Sequence, residues 1–376
     1  MLSIPDIARW FRPVKTALPL LPKFKQHGLN LMPGMFDKNN RNDVEGQAVP
    51  IPDEAYFFDN GDCLFLAEGV LFKLHRWILC RDPDSMFRDM FSVPQGPQVM
   101  GLDPISISDT RAEFRALCWV LYALPNEIHL QTTREADVQR LVHVAKMSHK
   151  YNLPLFETWA LKMILLQCEP PLDHLATCTQ DVLGQMMALA TLCDHPVLLC
   201  LVESAWISRL STGELRCSDA LVAGEKHATR KFQGDVYYQL NKQIHSQLSA
   251  LSPTSARGFS DFGLTDKQLL CLLSGHILLS NFWCRLREDG LPYSTRCNVL
   301  KYMHDTACVP TYANIQWPLN TADVLMGLRS ARQAVAAQPA PTPFGIPTCI
   351  VGHLDILIHK FTSEVANYFL EPSTTT

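Results

Sequence analysis

The stretch Cys63-Leu-Phe-Leu-Ala-Glu-Gly-Val-Leu-Phe-Lys-Leu-His-Arg-Trp-Ile-Leu79 decides the fold of the first structured part of this chain. Apolar runs on either side of Glu68-Gly69 predict two short antiparallel strands, because Gly69 can adopt the positive φ that a two-residue hairpin turn requires. A short helix is expected from Arg76, and Asp84 or Ser85 can cap a second one. Order is therefore expected to begin near Asp62, with a hairpin and two short helices.

Three longer helices are predicted downstream of a short strand at Ile105–Ile107. Each has apolar residues at the i, i+3, i+4 spacing that gives a helix one apolar face. The three apolar stripes run over Phe114–Tyr122, Val138–Ala145 and Phe156–Met163. Pro125 is expected to end the first of these helices, and Pro170-Pro171 closes the region.

The rest of the chain divides by composition. Residues 1–54 are predicted to be a flexible extension; their basic, acid-poor start also resembles an organellar transit peptide. Polar and proline-bearing residues over 37–61 predict a linker. The pattern is mainly helical over 170–332, a Pro/Ala-rich connector is expected over 333–350, and a last amphipathic helix over 351–372.

Composition excludes several classes of protein. The 376 residues are 47% hydrophobic, which is enough for real cores and argues against global disorder. A net charge of −4 gives no electrostatic reason to expect a nucleic-acid partner. The most apolar window, Leu269–Trp283, is shorter than a membrane span requires, so no membrane is expected. Thirteen scattered cysteines without a C-x-x-C pair predict reduced thiols and an intracellular protein, cytoplasmic or nuclear.

Motifs for catalysis are missing from the sequence. It contains no G-x-G-x-x-G, G-x-x-x-x-G-K-[ST] or G-x-S-x-G, so we predict no cofactor and no catalytic residue. Cys284, Cys297, His304 and Cys308 could complete a tetrahedral zinc site. Cys284 and Cys297 lack the close spacing of zinc knuckles, so buried cysteines are expected there and no metal is predicted. A zinc-dependent or thiol enzyme in the helical half remains the alternative of another class.

The order of elements between Asp62 and Cys168 resembles a BTB/POZ domain, and so do short motifs along it. The resemblance extends over roughly 105 residues, the span of chain in which these motifs occur. Phe72 to Phe91 and Phe114 to Pro125 resemble the BTB proteins abundant in mushroom-forming fungi. The positions that carry it are Phe72, His75, Leu79, Phe87, Met90, Phe91, Phe114, Leu117, Leu121 and Tyr122, with a looser match over Ala145–Leu153.

This resemblance implies an α+β fold: a BTB/POZ domain over 55–168, with a small, mainly antiparallel sheet flanked by helices. Leu201–Trp206 resembles the helical, BACK-like extension that follows many such domains. The implied function is non-enzymatic protein association, with itself or another BTB protein as partner. An adaptor of a cullin-type ubiquitin ligase is the alternative. Two departures from the family count against its usual modes of association. Prolines precede the first strand, where BTB dimers exchange an element, and residues 92–104 contain no glutamate of the motif that cullin adaptors often carry in this loop.

The resemblance also implies one candidate binding site. Asp62 and Arg76 match an acid and a base that line a shallow charged pocket in the family. The alternative is a salt bridge that tethers strand to helix and contributes only ~0–1 kcal/mol. For His75, packing and hydrogen bonding at the strand–helix junction are expected rather than catalysis.

Overall fold

The structure is a computed structural model that describes residues 49–93, 103–227, 229–249, 262–289, 291–292, 297, 301, 304–315, 317, 323–337 and 348–371. The predicted N-terminal extension therefore lies almost wholly outside the described residues. The same holds for residues 338–347 of the predicted Pro/Ala connector.

A four-stranded sheet forms the first part of the described chain. Its strands are β1 (Ile51–Phe57), β2 (Cys63–Ala67), β3 (Val70–Leu74) and β4 (Ile105–Ser106). Strands β2 and β3 form the predicted antiparallel hairpin, and Gly69 in its turn has a φ of 80°. Strand β1 lies parallel to β3, and β4 lies parallel to β2. The α+β class is confirmed, but the expected mainly antiparallel sheet is wrong, because the sheet is mixed in the order β1-β3-β2-β4.

Strand β1 corrects the predicted linker over residues 37–61. Its one proline, Pro52, is tolerated because β1 is an edge strand, where a missing N–H need not break the ladder. The buried Asp53 carboxylate accepts hydrogen bonds from the backbone N–H groups of Ala55 and Tyr56, both at 3.0 Å. It also accepts one from Arg115 Nε at 2.9 Å. This single acidic side chain fixes the strand's irregular backbone and joins it to the helix that carries Arg115.

Six helices complete this part of the molecule. They are α1 (Arg76–Leu79), α2 (Met86–Ser92), α3 (Arg111–Tyr122), α4 (Pro125–Leu130), α5 (Val138–Lys150) and α6 (Pro154–Cys168). Helix α3 begins with a capping box between Thr110 and Glu113. Helix α3 ends at Tyr122, just before Pro125 as expected, and Pro125 then occupies the first turn of α4, where a proline costs no intrahelical hydrogen bond.

Aromatic rings fill the core between the sheet and these helices. The Phe72 and Phe114 rings meet edge to face at 5.0 Å, and Phe87 stacks on Tyr151 at 4.4 Å. Of the ten motif positions, Phe72, Leu79, Phe87, Phe114 and Leu117 are buried. The other five are half-buried: His75, Met90, Phe91, Leu121 and Tyr122.

The second half of the described chain is helical, as predicted. A 3₁₀ turn (His174–Ala176) precedes α7, and a π-helical turn (His304–Cys308) precedes α12. The helices are α7 (Gln180–Leu192), α8 (Pro196–Ser211), α9 (Cys217–Lys226), α10 (Arg230–Ser249), α11 (Asp266–Glu288), α12 (Val309–Ala313), α13 (Val324–Ala337), α14 (Thr348–Glu364) and α15 (Ala366–Phe369). The predicted connector thus begins inside α13, and the predicted last helix is split into α14 and α15.

Two glycines let the short helix α15 lie against α10 and α11. A Cβ on Gly234 would overlap the backbone of Ala366, and a Cβ on Gly275 would overlap the ring of Phe369. Phe369 is buried there and stacks on Tyr237, with ring centroids 5.5 Å apart. The end of the described chain is therefore part of the core.

Helix α11 is longer than the apolar window Leu269–Trp283 that lies within it. It runs without a break for 23 residues, and its segment Asp266–Leu286 is long and apolar enough by length and composition to cross a membrane. Only 28% of that window is buried. Leu270, Leu273, Ile277 and Leu278 form an exposed apolar stripe along it.

Candidate functional site

Asp62 and Arg76, the predicted charged pair, are joined by a hydrogen bond to the Arg76 backbone and not by contact between their charged groups. The exposed Asp62 carboxylate accepts a hydrogen bond of 2.7 Å from the backbone N–H of Arg76, at the first residue of α1. The Arg76 guanidinium instead lies over the Phe91 ring, 4.6 Å from its centroid. Asp62 thus ties the start of β2 to α1, and the described residues show no ion pair between the two side chains. The expected tether between strand and helix is present, but it is a hydrogen bond from the Arg76 backbone to the Asp62 carboxylate and not a salt bridge.

His75 sits in an aromatic cluster at the junction of β3 and α1. Its backbone N–H donates to the Tyr122 hydroxyl at 3.1 Å, and its ring Nδ1 lies 3.1 Å from the same oxygen. The rings of Phe58 and Tyr122 lie 4.9 Å apart beside it. Burial raises the pKa of Tyr122 to about 12, so the hydroxyl keeps its proton and can donate to Nδ1. The expectation that His75 packs and hydrogen-bonds here is confirmed.

An apolar groove lies between α1 with the turn after it, the end of α3, helix α4 and the start of α6. We call it the α6 groove; it has a volume of about 710 Å³. Its lining is mainly apolar and includes Ile78, Leu121, Ile128, Leu155, Phe156 and Trp159. Sequence reasoning did not identify it, since its walls come from three separate segments.

The start of α6 sets the orientation of the groove's most exposed side chain. Asn152 adopts a φ of 52° and turns the chain sharply after α5, and Pro154 then fixes the first turn of α6. Leu153 is buried by this turn, whereas Leu155 is 76% exposed at the rim of the groove. A large apolar side chain is therefore presented beside an apolar cavity.

Three thiols and one imidazole converge in the helical half. The ligating atoms of Cys297, His304, Cys308 and Cys349 all lie within 4.8 Å of one another. Cys297 Sγ is 3.8 Å from Cys308 Sγ and 3.6 Å from His304 Nδ1, and Cys349 Sγ is 3.7 Å from the same nitrogen. Cys297 is half-buried and the other three are buried. We call these four residues the thiol–imidazole cluster.

The cluster corrects the set that the sequence suggested. Cys284 is exposed and takes no part, and Cys349 supplies the fourth group. His304 and Cys308 come from the π-helical turn, and Cys349 comes from the first turn of α14. Spacing rules could not identify Cys349, because it lies 45 positions after His304 and beyond a proline-rich segment.

Burial raises the pKa of the Cys308 and Cys349 thiols above the usual cysteine value. A second group of possible ligands, His149, Glu157 and Cys193, offers only three atoms and lies near the surface. There, His149 Nδ1 and a Glu157 oxygen are 3.1 Å apart, as in an ordinary surface pair.

Comparisons of the chain with models of known protein families, with curated proteins and with solved structures find no significant match. The resemblance to BTB/POZ proteins therefore depends on the quoted motifs and stays a prediction.

Proposed function

We propose that this chain is a non-enzymatic protein-interaction scaffold that self-associates through its sheet-and-helix unit, residues 51–168, as a BTB/POZ domain would. The observation that carries the proposal is the α6 groove with the exposed Leu155 at its rim. Contiguous exposed apolar surface on a folded protein is typical of a binding site.

Self-association follows from the arrangement of this surface. A two-fold interface brings the same patch of two copies together, so the patch must complement itself. The groove supplies an apolar cavity, and Leu155 beside it supplies an apolar side chain of a size that can enter such a cavity in a second copy. The remaining contact area would come from the surrounding surface, since stable interfaces bury roughly 1,200–2,000 Å² in total.

The chain offers a closely matched pair of variants for the test. Leu155 follows Pro154 at the start of α6, and Val197 follows Pro196 at the start of α8; both are exposed, by 76% and 58%. Aspartate is favourable in the first turn of a helix, so neither Leu155→Asp nor Val197→Asp should unfold the protein.

The measurement is sedimentation velocity of the full chain over a concentration series. We expect the wild-type and Val197→Asp proteins to form dimers as concentration rises, and Leu155→Asp to stay monomeric over the same range. A wild-type chain that is monomeric throughout, or two variants that dimerise equally, would refute self-association through this groove.

The cullin-adaptor role and the charged pocket at Asp62 and Arg76 remain predictions, and each has its own test. An adaptor role would require a cullin to be retained on the immobilised chain; the loop expected to contact it lies mostly outside the described residues. Binding at Asp62 and Arg76 would require an Asp62→Asn variant to lose dimerisation while remaining folded.

A further inference from the structure

We propose that Cys297, His304, Cys308 and Cys349 bind one zinc ion, as a structural site within the helical half of the chain. This site is independent of the proposed self-association and lies on other elements.

Three distances within the thiol–imidazole cluster match those of a tetrahedral zinc site, and all four ligating atoms lie within 4.8 Å of one another. Zn–S bonds of about 2.3 Å and Zn–N bonds of about 2.0–2.1 Å, at tetrahedral angles, place two sulfurs about 3.8 Å apart and a sulfur and a nitrogen about 3.6 Å apart. The Cys297–Cys308 S–S distance is 3.8 Å, and the S–N distances from Cys297 and Cys349 to His304 Nδ1 are 3.6 and 3.7 Å. A disulfide would require sulfurs about 2.05 Å apart, so the spacing does not fit one.

The imidazole of His304 is oriented for ligation. Its Nδ1 faces the sulfurs of Cys297 and Cys349, and its Nε2 lies 3.4 Å from the carbonyl oxygen of Leu291. A histidine that binds a metal through one nitrogen usually donates its other N–H to a carbonyl or carboxylate, which fixes the tautomer. His304 is only 1% exposed, so this orientation is held by the surrounding core.

The ligand set selects zinc and a structural role. Three thiolates and one imidazole form one of the common structural zinc sets, whereas catalytic zinc sites keep one position open for water. All four positions here are taken by protein, which leaves no room for a zinc-bound nucleophile. Within the described parts of the chain, this is the one place where four such side chains converge.

Binding would convert three thiols, two buried and one half-buried, into thiolates. One Zn²⁺ forms three Zn–S bonds and one Zn–N bond, and the three S–H protons leave to solvent. The neutral His304 contributes its Nδ1 lone pair and keeps the proton on Nε2. No oxidant or reductant is needed, because neither the metal nor the sulfur changes oxidation state.

The test begins with the metal content of the purified full chain, measured by mass spectrometry of the elements. We expect about one zinc ion per chain, the stoichiometry of a four-ligand site. Cys349→Ser should reduce that content at least tenfold, and so should Cys308→Ser. Cys284→Ser is the matched control, since Cys284 is exposed and outside the cluster, and it should leave the content unchanged.

A second measurement covers ligand variants that fail to fold. Wild-type protein stripped by a chelator under reducing conditions is titrated with Co²⁺, and the visible spectrum of tetrahedral thiolate-bound cobalt is followed, with Zn²⁺ then displacing it. A purified chain without zinc whose stripped form gives no such spectrum would overturn the proposal. So would a folded Cys349→Ser variant that retains full zinc content, or a site that holds iron or copper in preference to zinc.

Discussion

Replacing Asp53 should release strand β1 from the sheet while the rest of the molecule stays folded. The Asp53 side chain is fully buried, yet β1 is an edge strand that pairs with β3 alone. Its carboxylate accepts from two backbone N–H groups inside the strand and from the Arg115 guanidinium. Loss of these bonds leaves the irregular backbone between Pro52 and Phe57 without internal support.

The size of the effect follows from those contacts. Hydrogen bonds to a charged group contribute about 1.5–3 kcal/mol each, and the half-exposed Arg115 recovers part of its loss from water. The two backbone hydrogen bonds alone give about 3 kcal/mol at the lower end of this range, so we expect Asp53→Ala to destabilise β1 by about 3 kcal/mol or more. Asp53→Asn keeps an oxygen for the two backbone N–H groups and loses only the charge, so it should cost about 1–2 kcal/mol. In a double-mutant cycle, Asp53→Asn and Arg115→Met should couple by about 1 kcal/mol.

Amide hydrogen exchange of peptides covering residues 51–58 is the assay, with peptides from α10 as the internal reference. About 3 kcal/mol corresponds to exchange roughly 100-fold faster in β1 of Asp53→Ala, with α10 unchanged. Asp59→Ala is the control, because Asp59 is exposed in the same stretch and its carboxylate makes no hydrogen bond to a described residue. Exchange in Asp53→Ala within about threefold of wild type would refute the reasoning.

Two further substitutions test packing and hydrogen bonding elsewhere. Gly275→Ala should destabilise the chain by about 1–3 kcal/mol, because its Cβ would overlap the Phe369 ring. Gly352→Ala in α14, where a Cβ meets nothing within 4 Å, should instead be neutral or slightly stabilising in the same urea titration. Tyr122→Phe should cost about 1–2 kcal/mol, since the His75 backbone N–H and Nδ1 both lose their partner; an unchanged urea midpoint would contradict this.

The hairpin and the longer helices could be predicted because their signals are local. Gly69 marks the hairpin turn, and the stripe from Phe114 to Tyr122 lies within one helix. Strand β1 could not be predicted in this way, since the partner that stabilises Asp53 lies 62 positions along the chain. The position of Pro125 indicated the end of α3 but not the start of α4, because a proline that ends one helix can equally begin the next.

The Asp62–Arg76 pair was open to sequence reasoning, whereas the α6 groove was not. Asp62 and Arg76 were placed together correctly, because both lie within one hairpin-and-helix motif, but the bond through the backbone could not be read from residue types. The α6 groove has no local signature, since it forms only when α3 and α6 pack beside the turn after α1. Exposed apolar residues such as Leu155 look like ordinary helix positions until the groove beside them is known.

The thiol–imidazole cluster shows why burial alone cannot identify a candidate metal site. Most of the thirteen cysteines are buried or half-buried, and a buried thiol usually packs as a small apolar group. What distinguishes these four residues is convergence across 45 positions of chain between His304 and Cys349. A cross-link that closes a loop of this length removes about 4 kcal/mol of conformational entropy from the unfolded chain in the loop-closure account. A bound zinc ion would act in the same way and hold the π-helical turn against the start of α14. The helix pair α13 and α14, which pack on each other, would then gain stability that their own apolar contacts do not supply.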